Sequence, residues 1–236
     1  MLKLYIGNKN YSSWSMRPWV LLKQADIAFE EVMVRFGKDA FADDSAFKQG
    51  VRTVSPAGRV PVLLDDGLAV WDTLAIAEYI AEKFPQKQLW PQQAHARARA
   101  RSICAEMHSG FGALRSACPM NIEASLAQAG AQAWRDKPAV RTDVERLVAM
   151  WTELLDQHGG AGGSGGPQFL FGEFSIADAF FAPVCMRLTS YALPVPPHIA
   201  DYVARVSQAP GVKAWIKEAL AEKDFVAFDE PYRTAR

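Results

Sequence analysis

The spacing of hydrophobic and polar residues changes period several times before residue 85 and settles into a helical repeat after it. Leu2-Lys3-Leu4-Tyr5-Ile6 alternates with a period of two, which predicts a strand. The polar run Gly7 to Ser15 has the turn chemistry of a loop. A helix is expected from near Met16, with Pro18 in its first turn, where a missing N–H costs nothing. Trp19, Leu22 and Ala25 or Asp26 then fall at helical spacing. Phe29 to Phe36 returns to strand period, setting Val32, Val34 and Phe36 against Glu31, Met33 and Arg35. A short helix follows around Asp43 to Lys48, and Val60 to Leu64, Asp65-Asp66-Gly67 and Leu68 to Trp71 predict a hairpin. Asp72 caps a helix with the stripe Leu74, Ala77, Ile80 and Ala81, which Pro85 stops. The predicted order is βαβ-α-ββα.

Beyond Pro85, Ala94 to Leu114 and Val140 to His158 are proline-free and carry helical stripes such as Ile103, Met107, Phe111 and Leu114. The expected fold class is α/β plus all-α, with one domain over 1–85 and an all-helical one over 90–236. Met107, Phe111 and Leu114 are expected in the core, the alternative being that some of them line a substrate pocket. His108 and Arg115 are expected at the surface, the alternative being a cation that faces a cleft and recognises an acidic substrate. Ser175 and Asp178, three apart ahead of Ala179, Phe180, Phe181 and Val184, predict a capping box on a buried helix. Gly159 to Pro167 is predicted to be a flexible loop, without the basic or hydroxyl partner of a phosphate-binding turn.

Composition narrows the partners. The chain has 236 residues, enough to bury a core without metal or disulfides. Lysine plus arginine and aspartate plus glutamate each number 26, so no net field attracts a nucleic-acid backbone or an anionic membrane. Cys104, Cys118 and Cys185 lack CxxC spacing and fit buried thiols in a reducing cytoplasm. His95, His108, His158 and His198 show no ligand pairing, and no metal is predicted. The amino terminus lacks the long apolar run of an export signal, so a cytoplasmic protein is expected.

Three separated features carry candidate chemistry. Tyr11-Ser12-Ser13-Trp14-Ser15-Met16-Arg17-Pro18 places serines before helix one. Ser55-Pro56-Ala57-Gly58-Arg59-Val60-Pro61-Val62-Leu63 opens the third strand with a Val-Pro pair. Asp72-Thr73-Leu74-Ala75-Ile76-Ala77-Glu78-Tyr79-Ile80 sets a carboxylate and a hydroxyl at a helix start. In this order and spacing they resemble the glutathione transferase family, in its bacterial serine-type, zeta-like and theta-like members. Phe174-Ser175-Ile176-Ala177-Asp178 resembles the capping motif of that family's buried sixth helix, so the resemblance covers most of the chain. It implies a thioredoxin-like amino-terminal domain that holds glutathione as co-substrate, followed by an all-helical carboxy-terminal domain. It also implies a small electrophile in the cleft between them, a two-fold homodimer and a role in detoxification.

The resemblance further implies site residues. Ser13 is the hydroxyl that stabilises the glutathione thiolate, with Ser12 as its reserve. A free thiol has a pKa of about 8.5, and favouring the thiolate by about two units takes roughly 2.7 kcal/mol. One hydrogen bond to a charged group contributes about 1.5 to 3 kcal/mol, and a helix amino terminus adds a favourable dipole. Serines there also serve as loop formers and N-caps. Val60-Pro61 resembles the family's cis-proline element, whose exposed backbone pairs with the cysteinyl amide of glutathione, with Arg59 beside it. A strand opening with proline is its other reading. Asp72 and Thr73 resemble the pair that holds the γ-glutamyl end, the carboxylate taking the ammonium and the hydroxyl and helix N–H groups taking the α-carboxylate. A plain N-cap also explains Asp72.

The chain departs from the family at two places. Trp14 stands where zeta-like members carry cysteine, which argues against the cysteine-type chemistry of mixed disulfides. Ser55 stands where asparagine is usual. The resulting expectation is an enzyme that conjugates or isomerises a hydrophobic electrophile. The rival is a non-catalytic glutathione-binding or interaction protein on the same fold. A thiol-disulfide reductase would need a cysteine near helix one, and the sequence has none there.

Overall fold

The computed structural model describes residues 1–37, 40, 42–158 and 169–236. Strand β1 (Leu2–Ile6), helix α1 (Ser13–Gln24), β2 (Glu30–Met33), α2 (Ala46–Arg52), β3 (Val62–Asp65), β4 (Leu68–Val70) and α3 (Thr73–Lys83) follow the βαβ-α-ββα order. The strands form one sheet in the order β2-β1-β3-β4. β1 is parallel to β2 with Lys3 opposite Glu30, and antiparallel to β3 with Leu4 opposite Leu63. Asp66 and Gly67 turn the β3–β4 hairpin with φ of 46° and 91°, the paired positive values of a turn that matches strand twist.

Helices α4 (Ala94–Ser109), α5 (Gly112–Ala117), α6 (Ala127–Asp136), α7 (Pro138–His158), α8 (Ile176–Ser190), α9 (Pro197–Gln208) and α10 (Pro210–Ala221) make the second part. Two isolated β-bridges, Phe169 to Gly172 and Phe171 to Glu173, precede α8. Among the described residues no helix is long and apolar enough to cross a membrane.

The structure moves several boundaries. Helix α1 starts at Ser13 rather than near Met16, because Tyr11 and Ser12 N–H groups both turn back onto the Asn8 carbonyl. Pro18 therefore lies inside the helix, where it removes the donor that would serve the Trp14 carbonyl. The strand expected to Phe36 stops at Met33; the Phe36 N–H bonds to Asn8 Oδ1 instead of the sheet. The short helix expected at Asp43 to Lys48 runs over Ala46–Arg52, since Ser45 is its cap and accepts from the Lys48 N–H. The long stripe to Leu114 is cut at Gly110 and Phe111, the latter at φ 55°, and a new short helix begins there. The predicted loop Gly159 to Pro167 lies outside the described residues.

One core joins the sheet to the helices, and α1 runs through it. Trp19 on α1 meets Trp215 on α10 edge to face at 5.2 Å, both fully buried. At Gly211 an added Cβ would lie 2.7 Å from the Val20 carbonyl, so only glycine lets α10 start against α1. Lys9 is buried beside these tryptophans, its ammonium 4.8 Å from the Trp19 ring and paired with Glu31 at 2.6 Å and with Glu218. On the opposite side of α1, Arg17 donates from Nε to the Phe180 carbonyl of α8 at 3.0 Å.

Helix α8 opens with the predicted capping box. The buried Asp178 carboxylate accepts from the Ser175 N–H and hydroxyl, the Leu170 N–H and the Tyr202 hydroxyl. Burial nevertheless pushes its pKa up to about 6. A raised pKa means that the native state holds the proton better than the unfolded chain. This contribution to stability is complete below the ordinary value of 3.8 and is lost as pH rises through about 6. Asp178→Asn is therefore expected to destabilise the protein by about 1 kcal/mol more at pH 5 than at pH 7.5 in urea unfolding. Equal deficits at the two pH values would contradict this assignment.

Candidate functional site

Two adjoining cavities lie where the sheet part meets the helices. The larger, about 500 Å³, is lined from the first part by Ser12, Ser13, Phe36 and Phe47, and from the second by Arg115, Arg187 and Asp229, among others. The second, about 450 Å³, is lined by Pro61, Asp72, Thr73 and His108, among others. Trp14, Arg59, Val60 and Arg115 line both, so the two volumes are neighbours. Every residue singled out in the sequence for glutathione borders one of them.

The hydroxyls at the start of α1 are not equivalent. Ser12 is buried and donates to Ser15 Oγ at 2.7 Å, and Ser15 in turn accepts from the Gly7 N–H. Its proton is held within the protein. Tyr11 also lines the larger cavity, but its hydroxyl donates to Glu230 Oε1 at 2.7 Å, and burial with that bond pushes its pKa up to about 12. Ser13 is the first residue of the helix, and its hydroxyl accepts from Arg187 Nη2 at 3.4 Å. Arginine has no proton-accepting atom, so the Ser13 proton is directed elsewhere, and the cavity is open to it.

The surroundings of Ser13 are cationic. Arg187 is 5% exposed, and donates to the Cys118 and Pro183 carbonyls as well as to Ser13. Burial, then the neighbouring Arg115, lowers its pKa to about 10. Arg17 is held by the Phe180 and Ser13 carbonyls, and its pKa falls through burial and then through Arg187 and Arg115. Trp14 carries two of these guanidinium groups on its ring, Arg17 at 4.2 Å and Arg115 at 4.9 Å. Opposing them is Asp229, on the carboxy-terminal segment after α10, whose pKa is pushed up to about 6 by burial.

In the second cavity the Val60–Pro61 peptide bond is cis and Arg59 is exposed. Asp72 is the cap of α3, its Oδ1 accepting from the Leu74 N–H. Its Oδ2 lies 3.5 Å from His108 Nε2. The Thr73 side chain differs from expectation, because its hydroxyl donates to the Trp14 carbonyl, the acceptor that Pro18 leaves without a helical partner. That proton serves the protein, which leaves, of the donors expected there, the backbone N–H groups of the α3 amino terminus other than that of Leu74, which bonds to Asp72.

The surface placement of His108 and Arg115 is corrected. His108 packs edge-on against Trp14 at 5.2 Å and lines the second cavity, and Arg115 lines both. Sequence reasoning missed Arg17, Arg187 and Asp229. The available signal for Arg187 was a lone charge in the otherwise apolar run Phe180 to Leu188. All three cysteines are buried, and burial raises their thiol pKa values, Cys118 to about 11.

Family models for the glutathione S-transferase N-terminal domain and C-terminal domain match residues 11–83 and 92–218. The chain belongs to the glutathione S-transferase family. A probable maleylacetoacetate isomerase from Caenorhabditis elegans is 28% identical over 195 residues, 83% of this chain and 82% of that one. Among solved structures, this family member is similar to a glutathione transferase homologue from Burkholderia with bound glutathione, with 26% identity and a TM-score of 0.64. That match covers 92% of this chain and 97% of the other. A beta-class glutathione S-transferase from Sphingomonas chungbukensis matches at 27% identity and a TM-score of 0.63, over 92% of this chain and 99% of that one.

The Thr73 contact makes a prediction. Thr73→Val keeps the shape but strips the Trp14 carbonyl of its donor, and is expected to lower unfolding stability by about 1 to 2 kcal/mol, with Thr73→Ser restoring it. Unchanged stability with ligand affinity alone reduced would instead assign the hydroxyl to the ligand.

Proposed function

We propose that this protein is a glutathione transferase in which the Ser13 hydroxyl holds the glutathione sulfur as thiolate for attack on a small electrophile. The observation that carries this reading is the Ser13–Arg187 contact. A donor-only guanidinium occupies an acceptor position of the hydroxyl, leaving the proton free for the sulfur. Three guanidinium groups and the start of α1 add positive potential at the same place, favouring the thiolate over the thiol. In this arrangement glutathione lies along Val60 and Pro61 beside Arg59, with its γ-glutamyl end at Asp72 and the α3 amino terminus around Thr73.

The thiolate then attacks an electrophilic carbon of a molecule in the larger cavity, whose phenylalanine walls suit an unsaturated or aromatic body. If a leaving group departs, the product is a conjugate; if the adduct rotates and expels the thiolate again, the product is an isomer. The same reading takes residues 1–85 as the glutathione-binding domain and 90–236 as the electrophile-binding domain. It takes the protein as a cytoplasmic homodimer with a detoxifying role, and family membership supports it.

The test is the ultraviolet thiolate band of bound glutathione at neutral pH. The wild-type protein is expected to show the band and Ser13→Ala to lose it, with kcat/KM down about ten- to a hundredfold. Ser12→Ala is expected to keep it, at a stability cost of about 1 kcal/mol. Retention in Ser13→Ala with loss in Ser12→Ala would move the role to Ser12, and no band in the wild type would favour a passive binder.

A further inference from the structure

We infer that the Asp229 carboxyl is a catalytic proton donor in the larger cavity, serving the oxygen on which negative charge collects when a thiolate adds to a conjugated carbonyl. This deepens the transferase reading above and rests on it. Asp229 ends the short 3₁₀ turn Ala227–Asp229 in the segment after α10. That segment is pinned on both sides of the turn. Before it, Glu222 accepts from the Lys9 and Asn10 N–H groups, and Asp224 accepts from Asn8 Nδ2 at 3.0 Å and pairs with Arg35. After it, Glu230 accepts from the Tyr11 hydroxyl at 2.7 Å and from Asn121 Nδ2 at 2.8 Å, and the Tyr232 hydroxyl donates to the Ala117 carbonyl at 2.6 Å. Of these four carboxylates, Asp229 is the one without a hydrogen bond or ion pair among the described residues, and it lines the cavity with Ser13 and Arg187.

A half-buried carboxylate without a partner is poor as an anion, and burial accordingly favours its protonated form. The Arg187 charge acts the other way. A thiolate at Ser13 takes up that charge and brings a second negative group into the cavity, so in the glutathione complex Asp229 holds its proton more firmly. A neutral carboxyl has one O–H to donate. In the step itself a sulfur–carbon bond forms at the β-carbon, and the carbon–carbon π pair passes through to the carbonyl oxygen. That oxygen takes the Asp229 proton, leaving an enol and a carboxylate. The enol becomes the ketone as a proton moves to the α-carbon, and solvent returns to Asp229 the proton released when the thiol ionised. The other titratable groups around Asp229 do not serve. Arg59, Arg115 and Arg187 are cations, the Tyr11 pKa stands at about 12, and Glu230, despite burial, is held below its ordinary value by Arg233 and Tyr11.

The test compares trans-4-phenyl-3-buten-2-one, whose addition needs a proton, with 1-chloro-2,4-dinitrobenzene, from which the charge departs with chloride. Both are run at saturating glutathione, and the enone-to-arene ratio of kcat/KM is followed against pH. Thiolate formation affects both reactions and cancels in the ratio. The wild-type ratio is expected to fall by about tenfold or more from pH 6.5 to pH 8.5 as Asp229 ionises. Asp229→Asn is expected to lower the ratio at pH 6.5 by about a hundredfold and to flatten its pH dependence, and Asp229→Glu to restore both in part. The wild-type profile needs no variant, so the test survives if Asp229→Asn fails to fold. Turnover of the arene with a pH-independent ratio, or equal losses on both acceptors in Asp229→Asn, overturns the inference and leaves the transferase reading standing. Absence of turnover with either acceptor, in a protein that binds no glutathione, removes the transferase reading and the proton donor with it.

Discussion

Helix α1 is fixed from two sides, and the chemistry proposed at its first residue depends on that. On one side Trp19 is locked against Trp215 around the buried Lys9 ammonium. On the other, Arg17 reaches the Phe180 carbonyl, and Arg187 of α8 reaches the Ser13 hydroxyl. The helix belongs to the sheet part by sequence and to the helical part by packing. A shift of either part moves Ser13 relative to Arg187. The Ser13 hydroxyl is thus one of the points at which the two parts meet.

Trp14 is the second consequence of this placement. In the position where cysteine-type chemistry would need a thiol, the indole lines both cavities and packs against Arg17, Arg115 and His108. Its carbonyl, released by Pro18, is taken up by Thr73 at the start of α3. Pro18, Trp14 and Thr73 therefore tie two helix starts together, α1 and α3, both with N–H groups available to negative charge. All three cysteines are buried with their pKa values raised, so on the proposed reading positive potential at the site serves a thiolate brought by glutathione rather than one of the protein's own.

What the sequence made legible was local. The hairpin followed from Asp65-Asp66-Gly67, α3 from Asp72 and Pro85, and α8 from Ser175 and Asp178, because turn and cap chemistry acts within a few residues. The break at Gly110 was hidden, since Ile103, Met107, Phe111 and Leu114 keep helical spacing across it. The start of α1 was misplaced because the Asn8 carbonyl, a backbone group without a sequence signature, turns the chain early. Ser13, Val60 and Asp72 could be named from motif order. Arg187 could not be joined to Ser13, 174 positions away, because only the packing of α8 on α1 brings them together.

The most direct measurement is a crystal structure of this protein with glutathione bound. The account predicts the sulfur within hydrogen-bonding distance of Ser13 Oγ, with Arg187 still donating to that oxygen and the γ-glutamyl end at Asp72. A sulfur directed at Ser12, at Tyr11 or at no hydroxyl would contradict it.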